Sequence, residues 1–289
     1  MRQLMVIGLL CVANVCGATQ FSQFMDPGGW QANSSVFECS LVHEVPYYGR
    51  AVFKTRAGEN SSFVLKSDSS RLKTGEAALV ARSPLWKEHP QTVDLGYVPV
   101  KQSLQPIQLP ARHTERMLSE LYNGFELVFT RRAWYGGETS NDISITTVGF
   151  RAAYRQYLAC LDGLLPVNFD QIKRTAVYFG SNQYEDIAPR ELKKLDQIAL
   201  YVKADPTVRE FFIDGHTDSV GTREDNLVLA QNRAEEVKRY LVSKGVPEKA
   251  IVSRWHGERY PVARNDDLMG RAKNRRVTIR LERMESLPN

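Results

Sequence analysis

Residues 213–234 read I-D-G-H-T-D-S-V-G-T-R-E-D-N-L-V-L-A-Q-N-R-A, and this stretch decides the fold of the second half of the chain. An apolar run with Val208, Phe211, Phe212 and Ile213 leads into it and reads as a buried strand. A polar turn with Gly215, Gly221 and the triplet His216-Thr217-Asp218 follows, then a helix carrying Arg233. The helix is predicted from about Asp225 to Lys244, with Leu227, Ala230, Ala234, Val237 and Leu241 on one stripe. Gly245 suits a left-handed C-terminal residue, and Pro247 prevents continuation. Arg233 falls at the margin of the apolar stripe, from where it could reach over the surface toward the loop. Strand, polar glycine-bearing loop and helix gather side chains and free N–H groups around a small ligand. Asp218 suits an ammonium and Arg233 a carboxylate, which is the charge pattern of an amino acid or peptide stem. Taken singly, Arg233 fits a solvated helix arginine, and Asp218 fits a turn residue bonding its own backbone.

These residues resemble the OmpA-like peptidoglycan-binding family. A second signature, Gly270-Arg271-Ala272-Lys273-Asn274-Arg275-Arg276-Val277, follows in the expected order, so the resemblance covers about residues 166–289. It implies that Asp218, in the triplet with Thr217, and Arg233 hold the amine and carboxylate of diaminopimelate in the cell-wall peptide. Asn226 and Arg276 then stand in supporting places. Ala230 replaces the serine usual in that family, which removes a hydroxyl and no charge.

His216 has no second His or Cys at ligand spacing, and His256 belongs to a different segment. The expected role of His216 is to shape the loop by hydrogen bonding. No Cys–His or Ser–His–Asp signature is present, so an enzyme is not expected, nor is a metal or cofactor.

The 289 residues fit two modest domains. Arg2, the apolar run Leu4–Val15 and the small residues Cys16-Gly17-Ala18 read as a signal peptide over residues 1–18. The run is about 12 residues, too short to cross a hydrocarbon layer of ~30 Å. Neither Cys11 nor Cys16 has the residues expected before a lipid-modified cysteine, so a soluble exported, periplasmic product is expected. Signal removal leaves Cys39 and Cys160, which in an oxidising compartment most simply form one disulfide; two buried free thiols are the alternative. The formal charge of +5 hints at nucleic acid. From Pro166 onward, however, 22 basic residues meet 19 acidic ones, interleaved, and the dense cluster Arg271–Arg276 lies inside the second signature. Nucleic acid is not an expected partner.

From Thr19 to about Gly149, short apolar or alternating runs (50–55, 62–66, 77–81, 125–130, 143–148) are broken by Gly, Pro, Asn and Ser. They predict an all-β sandwich or partly closed barrel over 19–165, with a short helix near 114–122 and a closing helix near 151–161 carrying Cys160. Residues 162–168, with Gly163 and Pro166, read as the linker. Beyond it a β-α-β-α-β-β order predicts an α+β domain: a mixed sheet with helices on one face.

The segments Met25-Asp26-Pro27-Gly28-Gly29-Trp30, Tyr47–Phe53 and Tyr154–Cys160 are similar to the MotY family of sodium-driven polar flagellar motors. The paired cysteines and the domain order fit as well. That resemblance implies a periplasmic ring component around the flagellar basal body, partnered by MotX and aiding assembly of PomA/PomB stator units. The first domain then docks on the basal body and MotX, and the second grips peptidoglycan. The alternative is a general OmpA-type envelope stabiliser; a wall-modifying enzyme is a weaker third reading.

Overall fold

The computed structural model describes residues 19–21, 29–84, 89–132 and 140–284, so the expected signal peptide lies outside the described residues. The chain forms two compact units, dividing after Asp162, with residues 56–59 grouping with the second. The sequence boundary at 165/166 falls inside the expected linker.

The first unit contains β1 (Thr19–Phe21), β2 (Trp30–Ser34), β3 (Glu38–Val45), β4 (Gly49–Arg56), β5 (Ser62–Ser67), β6 (Gly75–Arg82), β7 (Thr92–Val100), β8 (Ile107–Leu109), α1 (Ala111–Tyr122), β9 (Glu126–Arg132), β10 (Ser140–Ile145) and α2 (Phe150–Asp162). Two five-stranded sheets result, ordered β1-β10-β9-β6-β7 and β2-β3-β4-β5-β8. Neither closes on itself, so of the two expected architectures the sandwich is the one formed. Alternation explains the packing: Phe53 and Phe63 point inward from the second sheet and Phe129 from the first. Their rings meet in series, Phe53–Phe63 at 4.8 Å and Phe63–Phe129 at 5.6 Å between centroids. Helix α2 lies on β2 and β3, placing Phe150 against Trp30 at 4.9 Å.

Cys160 of α2 and Cys39 of β3 are joined in a disulfide, with Cα atoms 5.9 Å apart and a sequence separation of 121. Closing a loop of that length stabilises by about 4–5 kcal/mol in chain-entropy terms. Nearby, His43 is fully buried between the edge of Trp30 and Thr146, whose hydroxyl lies 3.2 Å from its Nε2. Burial depresses its pKa from 6.5 to about 4.

The second unit contains α3 (Phe169–Ile172), β11 (Arg174–Tyr178), α4 (Pro189–Ala204), β12 (Val208–His216), α5 (Arg223–Ser243), β13 (Ile251–Gly257), α6 (Leu268–Asn274) and β14 (Arg276–Arg283). Its sheet order is β11-β14-β12-β13, with β12 and β13 parallel and the other pairs antiparallel. This is the expected mixed sheet, with α3 and α6 added. Helix α5 begins two residues earlier than its periodicity suggests, because Thr222 caps it, accepting from the Asp225 N–H at 3.1 Å. It ends at Gly245 (φ 97°), where Val246 N–H reaches Leu241 O and Gly245 N–H reaches Val242 O.

The helix sits close on the sheet because Gly215 has no side chain: a Cβ there would lie 2.1 Å from Ala230 O. Ala230 itself is completely buried at this contact. Two outcomes are expected. Gly215→Ala should lower the unfolding free energy of the second unit by roughly 1–3 kcal/mol, read by urea titration, since the helix must lift. For His43, the unfolded chain takes up its proton near pH 6.5 and the folded one near 4, so protonation favours unfolding. The first unit should therefore lose stability as pH falls across that interval, by on the order of 3 kcal/mol. In His43→Gln the slope of urea midpoint against pH should flatten there.

Candidate functional site

Thr217 begins the loop that leaves the C-terminal end of β12, and its backbone N–H is held by Gly257 O at 2.9 Å. This pins the loop between β13 and the start of α5. Asp218 comes next, 6% exposed. Its Oδ1 accepts from the Val220 N–H at 3.2 Å, the local turn bond open to any aspartate. Its Oδ2 accepts from Arg275 Nη1 at 2.9 Å, an ion pair with both side chains largely enclosed. Arg275 Nε in turn donates to Phe179 O, so its guanidinium is fixed at two points.

Arg233 differs from its expected place. It is not at the margin of the helix stripe but fully buried, among the largest enclosed side chains of the protein. Nε donates to Gln183 O (2.8 Å), Nη2 to Gly180 O (2.9 Å) and Nη1 to His216 O (3.2 Å). The guanidinium also lies over the Phe179 ring, 5.3 Å from its centroid. Those three carbonyls make its burial tolerable. Burial lowers its pKa to about 10, with Asp218 opposing, so it stays cationic at neutral pH. Two of its five N–H groups are not taken by these carbonyls.

Arg233 forms the floor of a cavity of about 600 Å³. Asp218, Asn226 and Arg275 line it, with Asp225, Ser181 and Tyr184 on its rim and walls. Residues of both signs, Asp218 and Asp225 with Arg233 and Arg275, therefore border one space, while the Asn226 amide is anchored to Glu258 at 3.0 Å. The arrangement suits a ligand with both an ammonium and a carboxylate.

Of the residues expected here, Asp218, Asn226 and Arg233 come together. Arg276 does not line the cavity: its guanidinium bonds Tyr260 O and Asn274 O. Its neighbour Arg275 takes the cavity position. Thr217 lies behind the wall, its hydroxyl enclosed without a hydrogen-bond partner among the described residues. His216 shapes the loop through its backbone carbonyl, which Arg233 holds, and not through its ring. Its Nδ1 is buried and unpartnered among the described residues, and the ring stacks on His256 at 5.1 Å between centroids. Burial, then Arg276 and His256, lowers the His216 pKa to about 4. Among the described residues no group of His, Cys, Asp or Glu is placed to hold a metal.

Residues 21–166 match the MotY N-terminal domain, and residues 178–275 match the OmpA family. The sodium-type flagellar protein MotY of Vibrio parahaemolyticus is 29% identical over 260 residues, 86% of this chain and 85% of that one. The peptidoglycan-associated lipoprotein of Haemophilus influenzae is 37% identical over 109 residues, 38% of this chain and 70% of its own length. The crystal structure of the peptidoglycan-associated lipoprotein from Burkholderia pseudomallei aligns at 36% identity over 37% of this chain and 89% of that one, with a TM-score of 0.35. The chain belongs to the MotY family, its MotY N-terminal domain followed by an OmpA-type domain.

Proposed function

We propose that this chain is a periplasmic component of the sodium-driven flagellar motor that grips peptidoglycan through residues 166–289. The observation that carries the reading is the cavity in which Asp218 and Asp225 face Arg233 and Arg275. A diaminopimelate-bearing stem supplies the matching charges. Its ammonium meets the Asp218 carboxylate, which keeps unfilled lone pairs beyond the Val220 and Arg275 bonds. Its carboxylate lies against Arg275 and takes the remaining Arg233 N–H groups at the floor, the segment from Gly180 to Tyr184 yielding slightly to admit it. Arg276 and Thr217 act behind the wall, supporting the loop and strand that carry the contacts.

Residues 19–165 supply the motor-specific contacts in this reading: docking at the basal body with MotX, and through MotX an aid to assembly of the PomA/PomB stator. Likeness to MotY over 86% of the chain favours the motor over a general envelope stabiliser, since the lipoprotein likeness reaches only 38%.

Co-sedimentation of the purified mature chain with sacculi tests the wall contact. Asp218→Asn should weaken binding about tenfold, the loss of one charge-assisted contact, and should lower Tm as well, since the enclosed Arg275 loses its carboxylate and keeps only Phe179 O. Arg233→Met should weaken binding and also lower stability by roughly 3–5 kcal/mol, because three carbonyls lose their donor. Unchanged sedimentation of the Asp218→Asn, Arg275→Met double variant would discard the site.

A further inference from the structure

The turn from Val45 to Tyr48, joining β3 to β4, is closed by the Tyr48 N–H donating to Val45 O at 3.0 Å. Pro46 is its second residue and Tyr47 its third, with φ of 62°. That third position is one glycine or asparagine fills without crowding. A large aromatic residue there is a backbone outlier. Two residues on, where β4 runs against β5, glycine is used: a Cβ at Gly49 would lie 2.3 Å from Lys66 O. Tyr48 packs into the core, whereas the Tyr47 side chain stands in solvent at 88% exposure. Among the described residues nothing in the packing calls for a ring at 47, and strain held without a packing reason points to function.

Other loops gather at the same end of the sheet. Asp68 N–H and Ser67 Oγ both donate to Tyr48 O, and Ser67 N–H donates to Leu104 O at 2.9 Å. Leu104 is itself 59% exposed. In these loops and strand ends Lys66, Lys73 and Lys101 are exposed against the exposed acids Asp68 and Glu76, while Arg50 and Glu44 pair with each other at 3.9 Å. The uncancelled charge is positive.

We propose that this loop end, with Tyr47 at its tip and Leu104 beside it, docks an acidic protein. The Tyr47 ring enters an apolar slot on that partner, and partner carboxylates face Lys66 and Lys101. A projecting tyrosine with a charged surround is the kind of anchor that dominates protein interfaces. A second copy of this chain fits poorly, since it would bring the same basic patch to a chain of net charge +5. The surface belongs to the first unit and does not depend on the wall-binding residues, which belong to the second.

The test places a photoreactive benzophenone side chain at position 47 of the full-length exported chain in its native cells. Irradiation should yield one discrete adduct with a protein of acidic isoelectric point, absent when the probe replaces Leu158. Adding Leu104→Ser and Lys101→Glu should lower that yield about tenfold, as expected for removal of an anchor and its charge. In the purified protein Tyr47→Gly should leave Tm unchanged or higher, since glycine relaxes the turn. An adduct with a second copy, with lipid or with glycan overturns the proposal. So does the absence of any adduct, or a fall in Tm that marks the ring as structural.

Discussion

A buried guanidinium is stable only where its N–H groups are met, and Arg233 is met by the carbonyls of Gly180, Gln183 and His216. Those carbonyls come from the loop after β11 and from the end of β12, so one side chain of α5 ties three elements together. The tie needs the helix close to the sheet, which Gly215 permits. With that side chain fixed, Asp218 and Arg275 hold each other beside it as a largely enclosed ion pair. Removing Arg233 therefore leaves three carbonyls unmet across three elements, whereas removing the Asp218 carboxylate breaks its bonds to Val220 and Arg275 alone.

The two units reach stability by different means. In the first, aromatic side chains from facing sheets and from α2 form the core, and the Cys39–Cys160 bond fastens that helix to β3. In the second, no cysteine remains, and helix–sheet closeness with buried polar anchors takes over. Asn274 illustrates this: fully buried, its side chain accepts from the Val262 and Ala263 N–H groups and donates to Ala263 O. Gly270 in the same short helix is as constrained as Gly215, because a Cβ would meet Arg264 O at 1.9 Å. Reducing agents should thus bear on the first unit and leave the cavity intact.

Much of this was legible in the sequence where a local rule has a local cause. Helix α5 announced its end through Gly245, and the β-α-β-α-β-β order gave the mixed sheet. Strands β2 and β7 are hidden from the sequence because Gln31, Asn33 and Ser34 face solvent and β7 contains Gly96 and Pro99, which read as breakers. Periodicity put Arg233 at a margin because it counts apolar neighbours and cannot see which carbonyls approach a helix. That Arg275 and not Arg276 borders the cavity is hidden for a related reason. Consecutive residues entering a strand point to opposite sides, and the residue where β14 begins decides which one meets Asp218. His256 stacks on His216 only through the parallel register of β12 and β13, a pairing that sequence spacing does not reveal.

The most direct measurement is a crystal structure of the full mature chain with a diaminopimelate-containing stem peptide. The ligand ammonium is expected within hydrogen-bond distance of Asp218 and its carboxylate between Arg275 and Arg233, with the three carbonyl bonds to Arg233 retained. A stem peptide bound elsewhere, for instance over the opposite face of the sheet beside Arg254 and Arg280, would contradict it.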